Sequence, residues 1–322
     1  MAEASIDPHL VVKEMAFTKK AHRDVYRAVE PERPQLSQAG KVIVITGATR
    51  GLGRGFAVAF AQAKPAAIVL LGRSADALAE AEKQVKEISP ETTVLTLVTD
   101  VRDEAGVNTA FETIVAKCGV PDVLVNNAGY LVNETIGECT IDSFWTVQEI
   151  NVKGVLIVTK AFLQAIESSS SSEQERTIIN LTSVSTQKTA VPLDAYTISK
   201  VAVTKFTEFI AAEYPSITAV NLDPGMVATD MGNNVPIIAP FLHDTVELAS
   251  GAAVWLCSGD RKFLSGRYFS VNWDVEELEA RREEIVEKNL LSSGVRRGDT
   301  VPAADELEIH TKTLRVVETI YH

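Results

Sequence analysis

Seven short apolar runs, spaced by longer stretches of helical period, constrain this chain more than any other feature. The runs are KVIVIT (41–46), AIVLL (67–71), TVLTLV (93–98), DVLVNN (122–127), TIINLT (177–182), ITAVNL (217–222) and RYFSVN (267–272). Continuous Val/Ile/Leu-rich runs of this length suit strands buried on both faces of a parallel sheet. Between them, ADALAEAEKQVKEI, EAGVNTAFETIVAKC, IDSFWTVQEINVKGVLIVTKAFLQAI, AYTISKVAVTKFTEFIAAEY and TVELASGAAVWLC carry apolar residues at helical spacing. The alternation predicts an α/β chain with one doubly wound, seven-stranded parallel sheet and right-handed crossovers. The expected boundaries are an N-terminal extension over 1–40, a single domain over 41–272 and a largely helical C-terminal extension over 273–322. The first ends in the proline-punctuated PERPQLSQAG. The last opens with the charged amphipathic stretch DVEELEARREEIVEKNLL, expected as one helix that lies in solvent or caps a neighbour's pocket, and closes with ELEIHTKTLRVVETIYH. The serine tract 168–172 reads as a solvated loop.

A length of 322 residues, 46% of them hydrophobic, suffices for one large domain of this kind. The net charge of −12 argues against nucleic acid or an anionic membrane surface as a partner. Cys118, Cys139 and Cys257 are an odd, widely spaced set without a CxxC, which reads as reduced thiols. The five histidines show no ligand spacing, so no metal is expected. The first residues lack the pattern of a signal peptide, and no run reaches the ~18 apolar residues of a membrane span. A cytoplasmic, soluble protein is the expectation.

TGATRGLG follows the first run and opens a helical pattern. Gly47, Gly51 and Gly53 let the backbone turn tightly and approach a pyrophosphate, whose charge meets free N–H groups at a helix N-terminus. A bare glycine trio is also an ordinary turn; its place between strand and helix favours the phosphate role. Leu52 belongs to the same turn. The second strand ends LLGRS, with Gly72 where a carboxylate would bond a ribose 2′-hydroxyl and Arg73 and Ser74 following. A guanidinium can bind a 2′-phosphate through two hydrogen bonds, and Arg50 adds a positive charge. Both arginines could equally be solvated, but NADP(H) is the favoured cofactor.

DAYTISK places Tyr196 and Lys200 four residues apart, on one face of a helix, with Ser183 thirteen residues before the tyrosine. Such a pair alone is an ordinary surface pair; the serine and the nucleotide turn make it a reacting centre. A free phenol titrates near 10, and lowering its pKa by ~2–3 takes about 3–4 kcal/mol. A close ammonium and a positively charged nicotinamide could jointly supply that. Ser183 can bond the substrate oxygen and hold it against the phenol.

The variant glycine spacing with a threonine in front, the NNAG string and the Ser–Tyr–Lys spacing resemble the short-chain dehydrogenase/reductase family, from about Lys41 to Asn272. The resemblance implies a Rossmann-type fold and an NADP-dependent oxidoreductase. It implies that Asp100 and Val101 contact the adenine and that Asn127, Ala128 and Gly129 line the cofactor's ribose. It further implies that Asn151 holds a water in a proton relay through Lys200, where the alternative is a polar residue kinking a helix. Pro224, Gly225, Val227 and Thr229, in DPGMVAT, match the segment that bonds the carboxamide. The family's usual Asp-Gly-Gly ending is replaced here by SVNWDVEELEARREEI, which puts contacts from that end in doubt. FTKKAHRDVY and SGRYFSVNWDVEEL resemble fungal reductases that act on secondary metabolites.

The segment MGNNVPIIAPFLHDTVE is rich in Pro, Ile, Leu and Phe, consistent with an apolar lid over a small organic ligand. Tyr130, Leu193, Met226, Met231 and Phe241 are candidate lining residues, core packing being an equal reading for each. The expected function is NADPH-dependent reduction of a ketone, or a related C=O or C=N group, on an apolar small molecule of secondary metabolism. The alternatives are alcohol oxidation, a cyclase or epimerase, and an NADP(H)-sensing protein. A homodimer or homotetramer is expected from the resemblance of helices 142–166 and 195–213 to those at the family's interfaces.

Overall fold

The computed structural model describes residues 6–168 and 174–294. A short helix, α1 (Leu10–Glu14), precedes β1 (Val42–Thr46), α2 (Gly51–Gln62), β2 (Ala67–Gly72) and α3 (Ala75–Ile88). Then come β3 (Thr93–Val98), α4 (Glu104–Cys118), β4 (Val123–Asn126), α5 (Ile141–Gln148), α6 (Gly154–Glu167) and β5 (Arg176–Leu181). The chain continues through α7 (Asp194–Glu213), β6 (Ile217–Asp223), α8 (Asp230–Asn233), α9 (Val246–Leu256) and β7 (Tyr268–Ser270). It ends in α10 (Val275–Ala280) and α11 (Arg282–Glu287).

All seven apolar runs are strands of one parallel sheet, in the order β3-β2-β1-β4-β5-β6-β7. Side chains alternate across it: Ile43 and Ile45 of β1 face α2, α3 and α9, while Val42 and Val44 face α4, α6 and α7. Both faces are covered, so the runs need no polar residues. Only edge strand β3 is partly open. Helix starts are fixed by side chains that accept backbone N–H bonds: Ser74 for α3, Asp103 for α4, Thr140 for α5, Thr245 for α9 and Asp274 for α10. The order reverses at β1, between β2 and β4, which leaves a crevice beyond the carboxyl ends of the strands.

Two expectations of continuous helices need correction. The stretch read as one helix over 141–166 carries a single π-helical turn, Glu149–Lys153, between α5 and α6. The extra residue in that turn breaks the 3.6 period without breaking the helix axis. The stretch read as one C-terminal helix is divided at Arg281 into α10 and α11.

The terminal segments are built into the core. Val29, Leu36, Trp273, Val275, Leu278 and Ile285 are buried in the cluster that holds β1, α2 and α9, so the inner face of α10 and α11 is not in solvent as expected. Ala21 bridges Trp273 in antiparallel fashion, and His22 and Asn272 exchange hydrogen bonds at 2.8 Å. The Trp273 indole donates to the Met15 carbonyl at 2.8 Å. The Arg281 guanidinium lies 3.9 Å from the centre of the Phe17 ring. The closing segment ELEIHTKTLRVVETIYH and most of the serine tract lie outside the described residues. Among the described residues, no helix is long and apolar enough to cross a membrane, and no cluster of His, Cys, Asp and Glu could hold a metal.

Candidate active site

The glycine turn sits at the carboxyl end of β1 and opens α2. Gly47 and Gly51 have φ of +64° and +52°, a region that favours glycine. A Cβ on Gly53 would stand 2.1 Å from the Gly47 carbonyl oxygen, so only glycine lets α2 start this close to the turn. Asn127 braces the turn from β4, donating to the Thr46 and Gly47 carbonyls at 2.8 and 3.1 Å. The Thr46 hydroxyl accepts the Asn127 and Ala128 N–H groups, each at 3.0 Å. The result is a backbone cradle with the unbonded N–H groups of a helix start at its mouth, a donor set that fits a dinucleotide's pyrophosphate.

Around the cradle the candidate contacts divide. Arg73 is exposed at the end of β2, and Asp100, at the end of β3, pairs with Arg102 at 2.7 Å. The Arg102 hydrogen bond chiefly holds the Asp100 carboxyl down at about 2, with Arg73 adding to the effect. The carboxylate is thereby neutralised from two sides, and Arg102 is a residue that sequence reading missed. Arg50 does not stand with Arg73; it pairs with Asp230 of α8 at 2.8 Å, both side chains being exposed. Ser74 spends its hydroxyl on capping α3. Leu52 packs against the core, and Val101 packs on Gly154, where a Cβ would come within 2.7 Å of it.

Ser183, Tyr196, Lys200 and Asn151 come together at the ends of β4 and β5. The Lys200 ammonium is buried, donates to the Leu181 carbonyl at 2.7 Å and lies 5.5 Å from the centre of the Tyr196 ring. Asn151 is fully buried on the π turn. Its amide accepts the Tyr130 N–H at 2.8 Å and donates to the Tyr130 carbonyl and the Ser199 hydroxyl, both at 2.9 Å. Ser199 passes the chain on to the Tyr196 carbonyl at 2.6 Å. Asn151 thus fixes the backbone beside Gly129 and ties α7 to the helix carrying it. Ser199 was not singled out from the sequence, because nothing marks a serine inside YTISK.

Burial sets the protonation of this group. It pushes the Tyr196 phenol up to about 12, against the pull of a hydrogen bond from Ser183, with the Asp223 charge adding to the rise. It pushes Lys200 down to about 8. The expected lowering of the phenol needs a close ammonium and a bound nicotinamide together; in the chain alone burial dominates and the phenol is raised.

Asp223, the last residue of β6, is a further member that spacing did not reveal. It is buried, and it accepts the Tyr268 hydroxyl at 2.6 Å and the Gly225 N–H at 3.4 Å. Burial raises its carboxyl to about 6. Beyond it, Gly225 has a φ of +77°, and a Cβ there would stand 2.5 Å from the Asp244 carboxylate. Val227 bridges Asp244, Thr229 caps α8, and Pro224 leads into the bend. Of the candidate lining residues, Leu193 and Met226 are buried, Met231 and Phe241 half-buried and Tyr130 exposed.

A nucleotide cradle beside a Ser–Tyr–Lys group whose lysine is buried, on a sheet of this order, defines an oxidoreductase that works with a nicotinamide cofactor. The chain belongs to the short-chain dehydrogenase family, whose model matches residues 41–237. It is 35% identical over 284 residues to the short chain dehydrogenase mpl6 of Monascus purpureus, covering 85% of this chain and 94% of that protein. It is 33% identical over 286 residues to the short chain dehydrogenase andI of Emericella variicolor, again covering 85% and 94%. Among solved structures, L-sorbose reductase from Gluconobacter frateurii, complexed with NADPH and L-sorbose, superposes with a TM-score of 0.67 at 25% identity. That match covers 74% of this chain and 97% of the reductase.

Proposed function

We propose that this protein is an NADPH-dependent reductase of a ketone, or a related C=O or C=N group, on an apolar small molecule. The carrying observation is the Tyr196 phenol, hydrogen-bonded by Ser183 and backed by Lys200, beside a nucleotide cradle. A bound nicotinamide nucleotide would supply hydride. Gly47, Gly51 and Gly53 would hold its pyrophosphate, with Asn127, Ala128 and Gly129 along the ribose side. Ser183 then fixes the substrate oxygen, and Tyr196 gives its proton to the oxygen as negative charge develops there. Lys200 steadies the phenol from below and Asn151 keeps the loop at Tyr130 in register.

In the reducing direction Tyr196 acts as the acid, and the same residues serve oxidation in reverse. Reduction is favoured here through the proposed use of NADPH. The choice of NADPH is supported by Arg73 standing free at the end of β2 while Arg102 occupies the Asp100 carboxylate, so that no bare carboxylate repels a 2′-phosphate. The NADPH complex of the L-sorbose reductase accords with this. The likeness of FTKKAHRDVY and SGRYFSVNWDVEEL to fungal reductases of secondary metabolism supports a substrate of that class, and the relatives from Monascus and Emericella are short chain dehydrogenases of fungi.

Tyr196→Phe is expected to reduce kcat for NADPH oxidation by about 10²–10⁴-fold with a turned-over ketone, while the NADPH dissociation constant stays within threefold. Full turnover by this variant would refute the proton-donor role.

A further inference from the structure

The residues before β1 precede the matched family region, yet they reach the site. Val11, Val12 and Met15, on and just after α1, face Val184, Gly225 and Met226 across a void of about 10 Å³, room for a single water at most. Val184 follows Ser183, and Met226 follows the Pro224–Gly225 bend. Helix α1 therefore packs against the residues that follow Ser183 at the end of β5 and Asp223 at the end of β6. Its side chains there are apolar, and its charges point to other partners: Lys13 to Asp7, and Glu14 to Lys188, in the loop between Ser183 and Tyr196.

The segment is bolted down by one guanidinium. Arg23 donates from Nε to Asp244 at 2.6 Å, from Nη1 to the Pro8 carbonyl at 2.8 Å and from Nη2 to the Phe241 carbonyl at 2.8 Å. Asp244 also accepts the Met226 N–H at 2.5 Å and the Asn272 amide at 3.0 Å. Its side chain is fully buried and that of Arg23 is 16% exposed. Losing one partner of such a pair is far more costly than losing an exposed pair such as Glu14–Lys188. A single contact set thus ties the start of α1, the end of the 226–241 loop and the backbone beside the Pro224–Gly225 bend.

We propose that Pro8–Met15 is a fixed wall of the substrate cleft, positioned by Arg23, and that Val11 and Met15 contact the substrate. The wall presents a valine and an adaptable methionine, so it takes a ring or alkyl face and sets a size limit on that side. This deepens the reductase reading, on which the identity of the substrate rests; the wall itself rests on geometry.

The test uses the full-length chain, NADPH and three ketones of increasing size: cyclohexanone, α-tetralone and 2-acetylanthracene. In a Val11→Ala/Met15→Ala double variant, kcat/KM for 2-acetylanthracene relative to cyclohexanone is expected to rise about tenfold, mainly through KM, as removed pocket methylenes do. NADPH affinity, read by nucleotide fluorescence, stays within twofold. Arg23→Gln is expected to move the ratio the same way and to speed amide exchange across residues 8–15. An unchanged ratio in both variants overturns the proposal. So does a uniform loss for all three ketones together with NADPH affinity, which marks a purely structural segment. If the wild-type protein binds NADPH but reduces none of the three, the reductase reading fails instead. The exchange arm then decides: protection over 8–15 that Arg23→Gln releases keeps the wall, and equal exchange in both proteins removes it.

Discussion

Tyr196 and Lys200 shift in the directions burial dictates, each towards its uncharged form. Their residue types and their spacing were readable from DAYTISK, because four residues are one turn of helix. The direction in which the phenol moves was not, since it depends on how much solvent the fold excludes. Asp223 was likewise invisible: an aspartate before Pro-Gly gives no sign that Tyr268, forty-five residues later, will donate to it. Its carboxyl, raised by burial from 3.8 to about 6, binds its proton more tightly in the folded chain than in the unfolded one. That contribution to stability is complete below the ordinary carboxyl value and is lost as pH rises through about 6. An Asp223→Asn variant keeps an acceptor for Tyr268 and has no proton to lose. The wild type should therefore weaken relative to the variant by about 2 kcal/mol between pH 4 and pH 7, a tenfold difference in proton affinity being worth about 1.4 kcal/mol. Urea midpoints at the two pH values give the measurement, and a constant difference would contradict it.

The strands were readable because a sheet covered on both faces turns each strand into an unbroken apolar run. Interruptions inside helices were not. The π turn at Asn151 and the break at Arg281 preserve local helical composition, and packing alone decides where the register slips. The turn between β1 and α2 lies at the other extreme, since its glycines are demanded by approach distances. Gly53→Ala would drive a methyl into the Gly47 carbonyl. Overpacking of this kind costs about 1–3 kcal/mol, and displacement of the turn should weaken NADPH binding at least tenfold. Thermal unfolding and nucleotide titration together check it. At the end of β2, Arg73→Ala should raise the NADPH dissociation constant about tenfold, the loss of one charge-assisted contact, and leave that for NADH within twofold. Equal effects on both nucleotides would show that Arg73 does not meet the 2′-phosphate.

At the scale of the assembled chain, apolar surface remains on the helices opposite the terminal segments. Trp145 of α5, Leu156 of α6 and Ile198, Val201 and Phe209 of α7 are exposed by 44–59%. We propose that two or four copies pair through these helices, since exposed apolar patches of this kind mark interaction surfaces. Phe209→Lys should shift the light-scattering mass towards that of a single chain, and a mass unchanged by this variant and by Leu156→Lys would place any interface elsewhere. The terminal segments themselves were mistaken for appendages because their partners lie at the other end of the chain. The Ala21–Trp273 bridge joins the two. Several partners of the first residues, Asp244, Asn272 and Trp273 among them, follow β6 in the chain. During synthesis from the N-terminus the first segment can therefore lock fully into place only after the last strand has emerged.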